Sequence, residues 1–160
     1  MKNRKLLMIP GPVEFEPAVL ATMSEPTDSH VSPDFIESFG KALDMLKQVF
    51  FAPHGQPFVV AGSGTLAMEM AVINLVEPGD KVLVISAGYF GVRYRDILSR
   101  HEIAVTLINA PIGDTPPLEK VEEALWRDNY KLMTVTHVDT STAVRSDVKA
   151  LASLAHQYDM

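Results

Sequence analysis

The sequence predicts an α/β fold in which a parallel-rich sheet is flanked by helices. Short apolar runs alternate with stretches whose apolar residues recur every three or four positions, and turns rich in Gly and Pro separate them. The apolar runs at 58–61, 81–86, 104–109 and 132–137 each precede a predicted helix. Continuous apolar runs are typical of strands that are buried on both faces. Four strands, each followed by a helix, therefore predict a parallel sheet with right-handed crossovers.

The predicted helices begin and end at recognisable residues. Ser32 and Pro33 suit the N-cap and the first position of a helix that continues to about Phe50. Later helices are predicted at 64–76, 92–101, 116–127 and 147–158, with a turn (EPGD) at 77–80. Glu69 lies in an apolar helix and is expected to need a partner. Trp126 shares a helix with several apolar residues, so we expect it in the core.

The first 31 residues differ in character from the rest. Prolines at positions 10, 12, 17 and 26 interrupt any long element, which leaves an extended arm with one short helix at 17–23. We therefore divide the chain into an N-terminal arm, 1–31, and the α/β part, 32–160. The last residues fall where another strand is expected, so we expect the sheet to be truncated.

Composition narrows the class of protein. The chain has 160 residues, of which 47% are hydrophobic and 21% charged, as in ordinary globular domains. A net charge of −6 gives no support to nucleic acid or an acidic membrane as a partner. Only four apolar residues follow the basic N-terminus, too few for a signal peptide. With no cysteine and no long apolar run, we expect an intracellular, cytoplasmic protein without a membrane span.

The residues that could bind a ligand are expected just beyond the predicted strands, because ligands of open α/β sheets bind at the carboxyl ends of the strands. The loop Gly62-Ser63-Gly64-Thr65 opens a helix, where backbone N–H groups and two hydroxyls can hold a phosphate. Dinucleotide binding is an alternative, but the next strand ends without the acid that would hold a ribose. If the loop binds no ligand, its glycines serve only to let the strand and the helix pack closely.

Two further turns carry candidate ligand-binding groups. Tyr89 and Phe90 follow the second predicted strand, where either ring could stack on a flat cofactor or simply belong to the core. Residues 136–142 (THVDTST) are almost all polar, and their hydroxyls could bond a ring oxygen or form a turn of the Asx or Ser/Thr type. His137 and Asp139 have the spacing of a ligand pair, but no third metal ligand is evident, so no metal is expected.

These turns, taken together and in order, resemble the class V aminotransferases, specifically the alanine–glyoxylate and serine–pyruvate branch. The motifs are LMIPGP at 7–12, SHVSP at 29–33, AGSGT at 61–65, EPGD at 77–80 and THVDTST at 136–142. The resemblance covers nearly the whole chain. It implies the large domain of the aspartate-aminotransferase-like fold and pyridoxal 5'-phosphate as the cofactor.

The resemblance also implies roles for individual residues. Ser63, Gly64 and Thr65 match the loop that binds the cofactor phosphate. Phe90 matches the aromatic residue that stacks on the pyridine ring, and Thr140 matches the hydroxyl residue that bonds the phenolic oxygen of the ring. The Schiff-base lysine, the acid at the ring nitrogen and the arginine for the substrate carboxylate all match positions beyond Met160.

The implied activity is transfer of an amino group from alanine or serine to glyoxylate or pyruvate. Without the lysine, the 160 residues alone are expected to be inactive. The resemblance further implies a homodimer with the arm lying across its partner. If the source is eukaryotic, a peroxisomal or mitochondrial location is an alternative to the cytoplasm. The alternatives are a non-catalytic fragment or assembly partner, and a lyase or desulfurase of the same fold.

Overall fold

The chain divides between Ala61 and Gly62 into two units in the computed structural model, which describes residues 5–160. In the first unit, helix α1 spans Pro17–Thr22 and helix α2 spans Pro33–Val49. Ser32 caps α2 as predicted, because its hydroxyl accepts a hydrogen bond from the backbone N–H of Phe35 at 3.2 Å. The role of the predicted arm at a subunit boundary stays a prediction.

The strand predicted at 58–61 is wrong. These residues pair with no strand in the part of the chain that the structure describes, and the side chain of Phe58 is 82% exposed. A strand requires a neighbour to receive its backbone hydrogen bonds, and an apolar run alone does not supply one. The sequence pattern therefore indicated apolar character correctly but not the pairing.

The second unit contains the parallel sheet. Strands β1 (Lys81–Ser86), β2 (Ala104–Asn109) and β3 (Leu132–Val135) lie in the order β2-β1-β3, and both pairs are parallel. The four helices of this unit are α3 (Gly64–Leu75), α4 (Tyr89–Arg100), α5 (Leu118–Arg127) and α6 (Val148–Gln157). The predicted fold class, a parallel sheet flanked by helices, is confirmed.

The core explains why helices cover both faces of the sheet. Alternate residues of β1 point to opposite faces, as in any strand. Val82 and Val84 pack with apolar residues of α3 and α4, whereas Leu83 and Ile85 pack with Val121, Leu125 and Leu151 of α5 and α6. The continuous apolar run of β1 thus follows from its burial on both sides.

A short antiparallel ribbon was missed by the sequence analysis. Strand β4 (Val138–Asp139) pairs with strand β5 (Val144–Arg145), and the turn between them carries residues 140–143. The strand predicted at 132–137 consequently ends at Val135. Two-residue strands leave no periodic pattern in a sequence, so only the tertiary structure reveals this ribbon.

Two predictions about single residues on helices have clear outcomes. Trp126 is 78% exposed, so its predicted place in the core is wrong. The buried side of α5 carries Val121 and Leu125, and one residue further the helix has turned about 100° away. The expected partner of Glu69 is His101, whose Nε2 lies 2.9 Å from Glu69 Oε1.

Among the described helices, none is long and apolar enough to cross a membrane.

Candidate functional site

The start of helix α3 forms the first part of the candidate site. Ser63 is its N-cap, and the Ser63 hydroxyl accepts a hydrogen bond from the N–H of Leu66 at 3.2 Å. The next two amides, those of Gly64 and Thr65, have no hydrogen-bond acceptor among residues 5–160, as is usual for the first turn of a helix. Among residues 5–160, nothing lies within 4 Å of the place that a Cβ of Gly64 would occupy. Donors and open space therefore occur together at this loop.

The start of helix α4 forms the second part, and it lies unusually close to β1. A Cβ added to Gly91 would lie 2.6 Å from the Cα of Ser86, the last residue of β1. Phe90, beside it, has 36% of its surface exposed, and its ring meets that of Tyr89 edge-on at 5.3 Å. The predicted stacking residue is accordingly neither core nor fully solvated, and part of its ring is reachable by a ligand.

The third part is the ribbon formed by β4, β5 and the turn between them, which is tied to α4 by the carboxylate of Asp139 in β4. Asp139 is fully buried. Its Oδ2 accepts hydrogen bonds from the N–H groups of Phe90 at 3.0 Å and Gly91 at 3.3 Å. Its Oδ1 accepts from the N–H of Ser141 at 3.1 Å and from the Ser141 hydroxyl at 2.6 Å. The carboxylate thus caps α4 from a residue that lies 49 positions later in the chain.

The environment of Asp139 fixes its charge. Burial by itself would raise the pKa of the Asp139 carboxyl, but the hydrogen bonds from Ser141, Gly91 and Phe90 outweigh it and hold the pKa below its usual range. The bond from the Ser141 N–H is an Asx turn, which confirms that alternative for the polar segment. Four donors already occupy both carboxylate oxygens, so Asp139 has little capacity left for a metal ion.

Two more hydrogen bonds join the same elements. The Ser141 hydroxyl accepts from the N–H of Tyr89 at 2.9 Å. The Thr142 hydroxyl donates to the carbonyl of Ala87 at 2.8 Å. Because these bonds connect the segment between β1 and α4 to the turn between β4 and β5, they fix the turn that carries Thr140 against the start of α4.

Arg93 connects the first part of the site to the second. One guanidinium nitrogen lies 3.3 Å from the hydroxyl of Thr65, and the guanidinium carbon lies 4.9 Å from the ring centroid of Tyr89. No carboxylate in the described chain lies within ion-pair distance of Arg93. A cation with no counter-ion among the described residues therefore lies beside the loop at the start of α3. No pattern in the sequence singled this residue out.

The structure brings the predicted residues to one edge of the sheet. Thr65 is joined to α4 through Arg93, and α4 carries Phe90. Thr140 lies next to Asp139 in the turn, exposed, and its hydroxyl has no partner among residues 5–160. Sequence reasoning missed the capping role of Asp139, since the bonds that define it join distant parts of the chain.

Comparison with known proteins identifies the family. The sequence model of the family described as "Aminotransferase class-V" matches residues 20–160. The chain belongs to this family. The predicted resemblance is thereby confirmed, and so is the assignment to an enzyme family of transaminases.

Named relatives agree with the family. The chain is 39% identical to alanine–glyoxylate aminotransferase 1 of Saccharomyces cerevisiae over 98% of its own length and 42% of the relative. It is 35% identical to the serine–glyoxylate aminotransferase of Hyphomicrobium methylovorum over 94% of its length and 39% of the relative. The chain therefore spans well under half of these relatives.

Solved structures confirm the fold. An alanine–glyoxylate aminotransferase from Nostoc sp. matches 99% of this chain and 43% of its own, with a TM-score of 0.85 and 32% identity. The ureidoglycine–glyoxylate aminotransferase of Bacillus subtilis matches 99% of this chain and 42% of its own, with a TM-score of 0.86 and 26% identity. The α/β architecture of the chain is thus that of part of a class-V aminotransferase.

Proposed function

We propose that the protein transfers an amino group from a small amino acid, alanine or serine, to glyoxylate or pyruvate, with pyridoxal 5'-phosphate as its cofactor. The observation that carries the proposal is the assembly of the Ser63 loop, Phe90 and Thr140 at one sheet edge of a class-V aminotransferase. The relatives support the acceptor more strongly than the donor, because named alanine, serine and aspartate enzymes all share glyoxylate.

The residues present fit the cofactor phosphate. The amides of Gly64 and Thr65 and the positive end of the α3 dipole favour an anion. Since a hydroxyl both donates and accepts, Ser63 keeps its proton available for a phosphate oxygen while it caps the helix. Arg93 adds a positive charge beside Thr65. The open space at Gly64 gives a phosphate room to approach the backbone.

The ring of the cofactor would meet Phe90 and Thr140. An aromatic ring at the start of α4 offers a face for offset stacking, and the free hydroxyl of Thr140 can donate to the phenolic oxygen. Pyridoxal phosphate, when bound, supplies an electron sink for the amino-acid carbon. The lysine, the ring-nitrogen acid and the substrate arginine remain predictions for positions after Met160.

We also propose that the protein acts as a homodimer. Helix α2 has no fully buried residue among those described, and its Phe35, Ile36 and Phe39 are between 39% and 58% exposed. Phe35 and Phe39 stack on one another with ring centroids 5.7 Å apart. An amphipathic helix with an uncovered apolar side is a typical protein–protein contact. Sedimentation of the native protein as a monomer would contradict this part of the proposal.

The experiment that tests the cofactor site compares two glycine-to-alanine variants of the native protein. A Cβ at Gly64 meets nothing within 4 Å in the described part of the chain, so Gly64→Ala should fold normally. If the phosphate lies against that backbone, the new methyl group occupies its space. We expect the affinity for pyridoxal phosphate to fall at least about tenfold, equivalent to about 1.4 kcal/mol.

Gly40→Ala is the matched control, since a Cβ there also meets no described residue within 4 Å and Gly40 lies within α2. It should bind the cofactor as the wild type does. Equilibrium dialysis measures both affinities, and formation of pyruvate from alanine and glyoxylate measures turnover. Wild-type protein that neither binds the cofactor nor forms pyruvate would refute the proposed function. Equal cofactor affinities of Gly64→Ala and wild type would refute the location of the phosphate.

A further inference from the structure

The two groups expected to contact the cofactor ring belong to separate elements. Phe90 lies in the first turn of α4, and Thr140 lies in the turn between β4 and β5. Binding groups must be held to within about 0.5 Å and 10–20° of their working geometry. A ring face and a hydroxyl on different elements therefore need something that fixes one element relative to the other.

The carboxylate of Asp139 is placed to do this. One of its oxygens accepts from the backbone of Phe90 and Gly91, at 3.0 and 3.3 Å. The other accepts from the backbone and hydroxyl of Ser141, at 3.1 and 2.6 Å. Asp139 itself directly precedes Thr140 in the chain. Each oxygen thus serves one of the two elements that carry the ring-contacting groups.

The close approach of Asp139 to α4 requires a residue without a side chain at position 88. A Cβ added to Gly88 would lie 2.6 Å from the Ser141 hydroxyl and 2.8 Å from the carboxyl carbon of Asp139. The absence of a side chain at Gly88 is what allows the carboxylate to approach the start of α4. Asp139 is fully buried, so water cannot replace a donor or acceptor that is lost there.

The hydrogen-bond donors around the side chain of Asp139 require a carboxylate at this position. All four groups that face Asp139 donate hydrogen bonds, and an ionised carboxylate only accepts. An asparagine of the same shape would turn an NH₂ group towards one pair of donors. That pair would separate from the side chain, and the element that carries it would shift.

We propose that Asp139 is a positioning residue that holds the ring of Phe90 and the hydroxyl of Thr140 in a fixed relation for the pyridine ring of the cofactor. The inference rests on the proposed function, because it concerns the same cofactor. It assigns Asp139 no contact with the cofactor itself. Its effect is transmitted through the backbone of α4 and of the β4–β5 turn.

The test uses the native protein and pyridoxal phosphate, with Asp139→Asn compared with Asp147→Asn. Asp147 caps α6 by accepting from the N–H of Ala150 at 3.0 Å, so the control removes a similar capping charge away from Phe90 and Thr140. We expect Asp139→Asn to lower cofactor affinity at least about tenfold. It should also change the circular dichroism band of the bound cofactor, which reports the asymmetry of the ring's surroundings. Asp147→Asn should leave both quantities as in the wild type.

Ser141→Ala keeps the inference testable if Asp139→Asn fails to fold. This substitution removes one donor to Asp139 and one acceptor for the N–H of Tyr89, at an exposed position. It should move affinity and dichroism in the same direction by a smaller amount. The positioning role alone would be overturned if the wild type binds the cofactor and folded Asp139→Asn binds it with the same affinity and dichroism. If Asp139→Asn aggregates, the same result with Ser141→Ala would overturn it. Failure of the wild type to bind would instead overturn the proposed function.

Discussion

The buried carboxylate of Asp139 lies 3.0 Å from the backbone nitrogen of Phe90, 49 residues earlier in the chain. This one hydrogen bond joins the turn after β3 to the helix after β1. Parallel strands bring their carboxyl ends to one edge of a sheet, but they do not fix the loops that follow. In this chain the loops are fixed by side chains that form hydrogen bonds with backbone groups, above all those of Asp139 and Thr142.

The first prediction concerns pH. Hydrogen bonds hold the pKa of Asp139 below its usual range despite burial. A carboxyl whose pKa is lower in the folded state stabilises the fold above its unfolded pKa, about 3.9. That stabilisation is lost as the pH falls through the folded pKa. Asp139→Asn should therefore lower the free energy of unfolding by about 3 kcal/mol near neutral pH, since it strands buried donors.

Urea unfolding between pH 7 and pH 3 checks this expectation. The difference between wild type and Asp139→Asn should be constant at neutral pH and should narrow below about pH 4. Asp147→Asn, which alters the cap of α6, provides the comparison for loss of an ordinary helix cap. If the difference in unfolding free energy stays constant down to pH 3, the charge of Asp139 is not what stabilises its contacts with α4 and Ser141.

The second prediction concerns the close contact of α4 with β1. A Cβ at Gly91 would lie 2.6 Å from the Cα of Ser86, at the end of the central strand, where the backbone has little freedom to move away. We expect Gly91→Ala to destabilise the protein by about 3 kcal/mol. Gly64→Ala, whose new methyl group meets nothing within 4 Å among residues 5–160, is the matched control. Without cofactor it should be at least as stable as the wild type. Equal urea midpoints for both variants would contradict the contact.

Much of the fold could be predicted because its signals are local. The apolar run of β1 and the N-cap of Ser32 each depend on adjacent residues, and both are confirmed. Signals that depend on distant partners failed. The run at 58–61 is apolar but has no strand beside it in the described chain, and Trp126 was assigned by its neighbours although it points away from them.

The candidate site shows the same division. The loop at Ser63 could be proposed as a phosphate site because a strand-like run, a glycine pair and a helix follow one another in the sequence. Asp139 could be suspected only of a turn or a metal site, since its donors Phe90 and Gly91 are nearly fifty positions away. Arg93 could not be found at all. The contact of Arg93 with Thr65 depends on the packing of α4 beside α3, which no short sequence motif encodes.

The third prediction concerns Arg93. Its guanidinium lies 3.3 Å from the Thr65 hydroxyl and has no carboxylate partner among residues 5–160, so its charge is available to an anion at the loop. Arg93→Gln should weaken pyridoxal phosphate binding about fivefold to tenfold, or about 1–1.4 kcal/mol. Arg95→Gln, on the same helix, is the control because Arg95 is already paired with Asp96 at 2.7 Å. Equilibrium dialysis at low and high salt measures both, and identical affinities of the two variants would contradict the role.

The last prediction concerns Ala143, in the turn between β4 and β5. Its φ of 58° lies in the left-handed region, where a side chain other than that of glycine costs about 1–3 kcal/mol. Ala143→Gly removes this strain, although the greater freedom of glycine in the unfolded chain offsets about 0.4–1 kcal/mol of the gain. We expect a net increase of about 1 kcal/mol in the free energy of unfolding.

Because the turn keeps its conformation in Ala143→Gly, Thr140 keeps its place and cofactor affinity should not change. Ala150→Gly is the matched control, since Ala150 lies inside α6, where the same substitution should cost about 1 kcal/mol. Urea unfolding of the two variants should therefore shift in opposite directions. If Ala143→Gly is destabilised as Ala150→Gly is, residue 143 is not strained in solution, and the hydrogen bonds of Asp139 and Thr142 do not hold the turn in the conformation described.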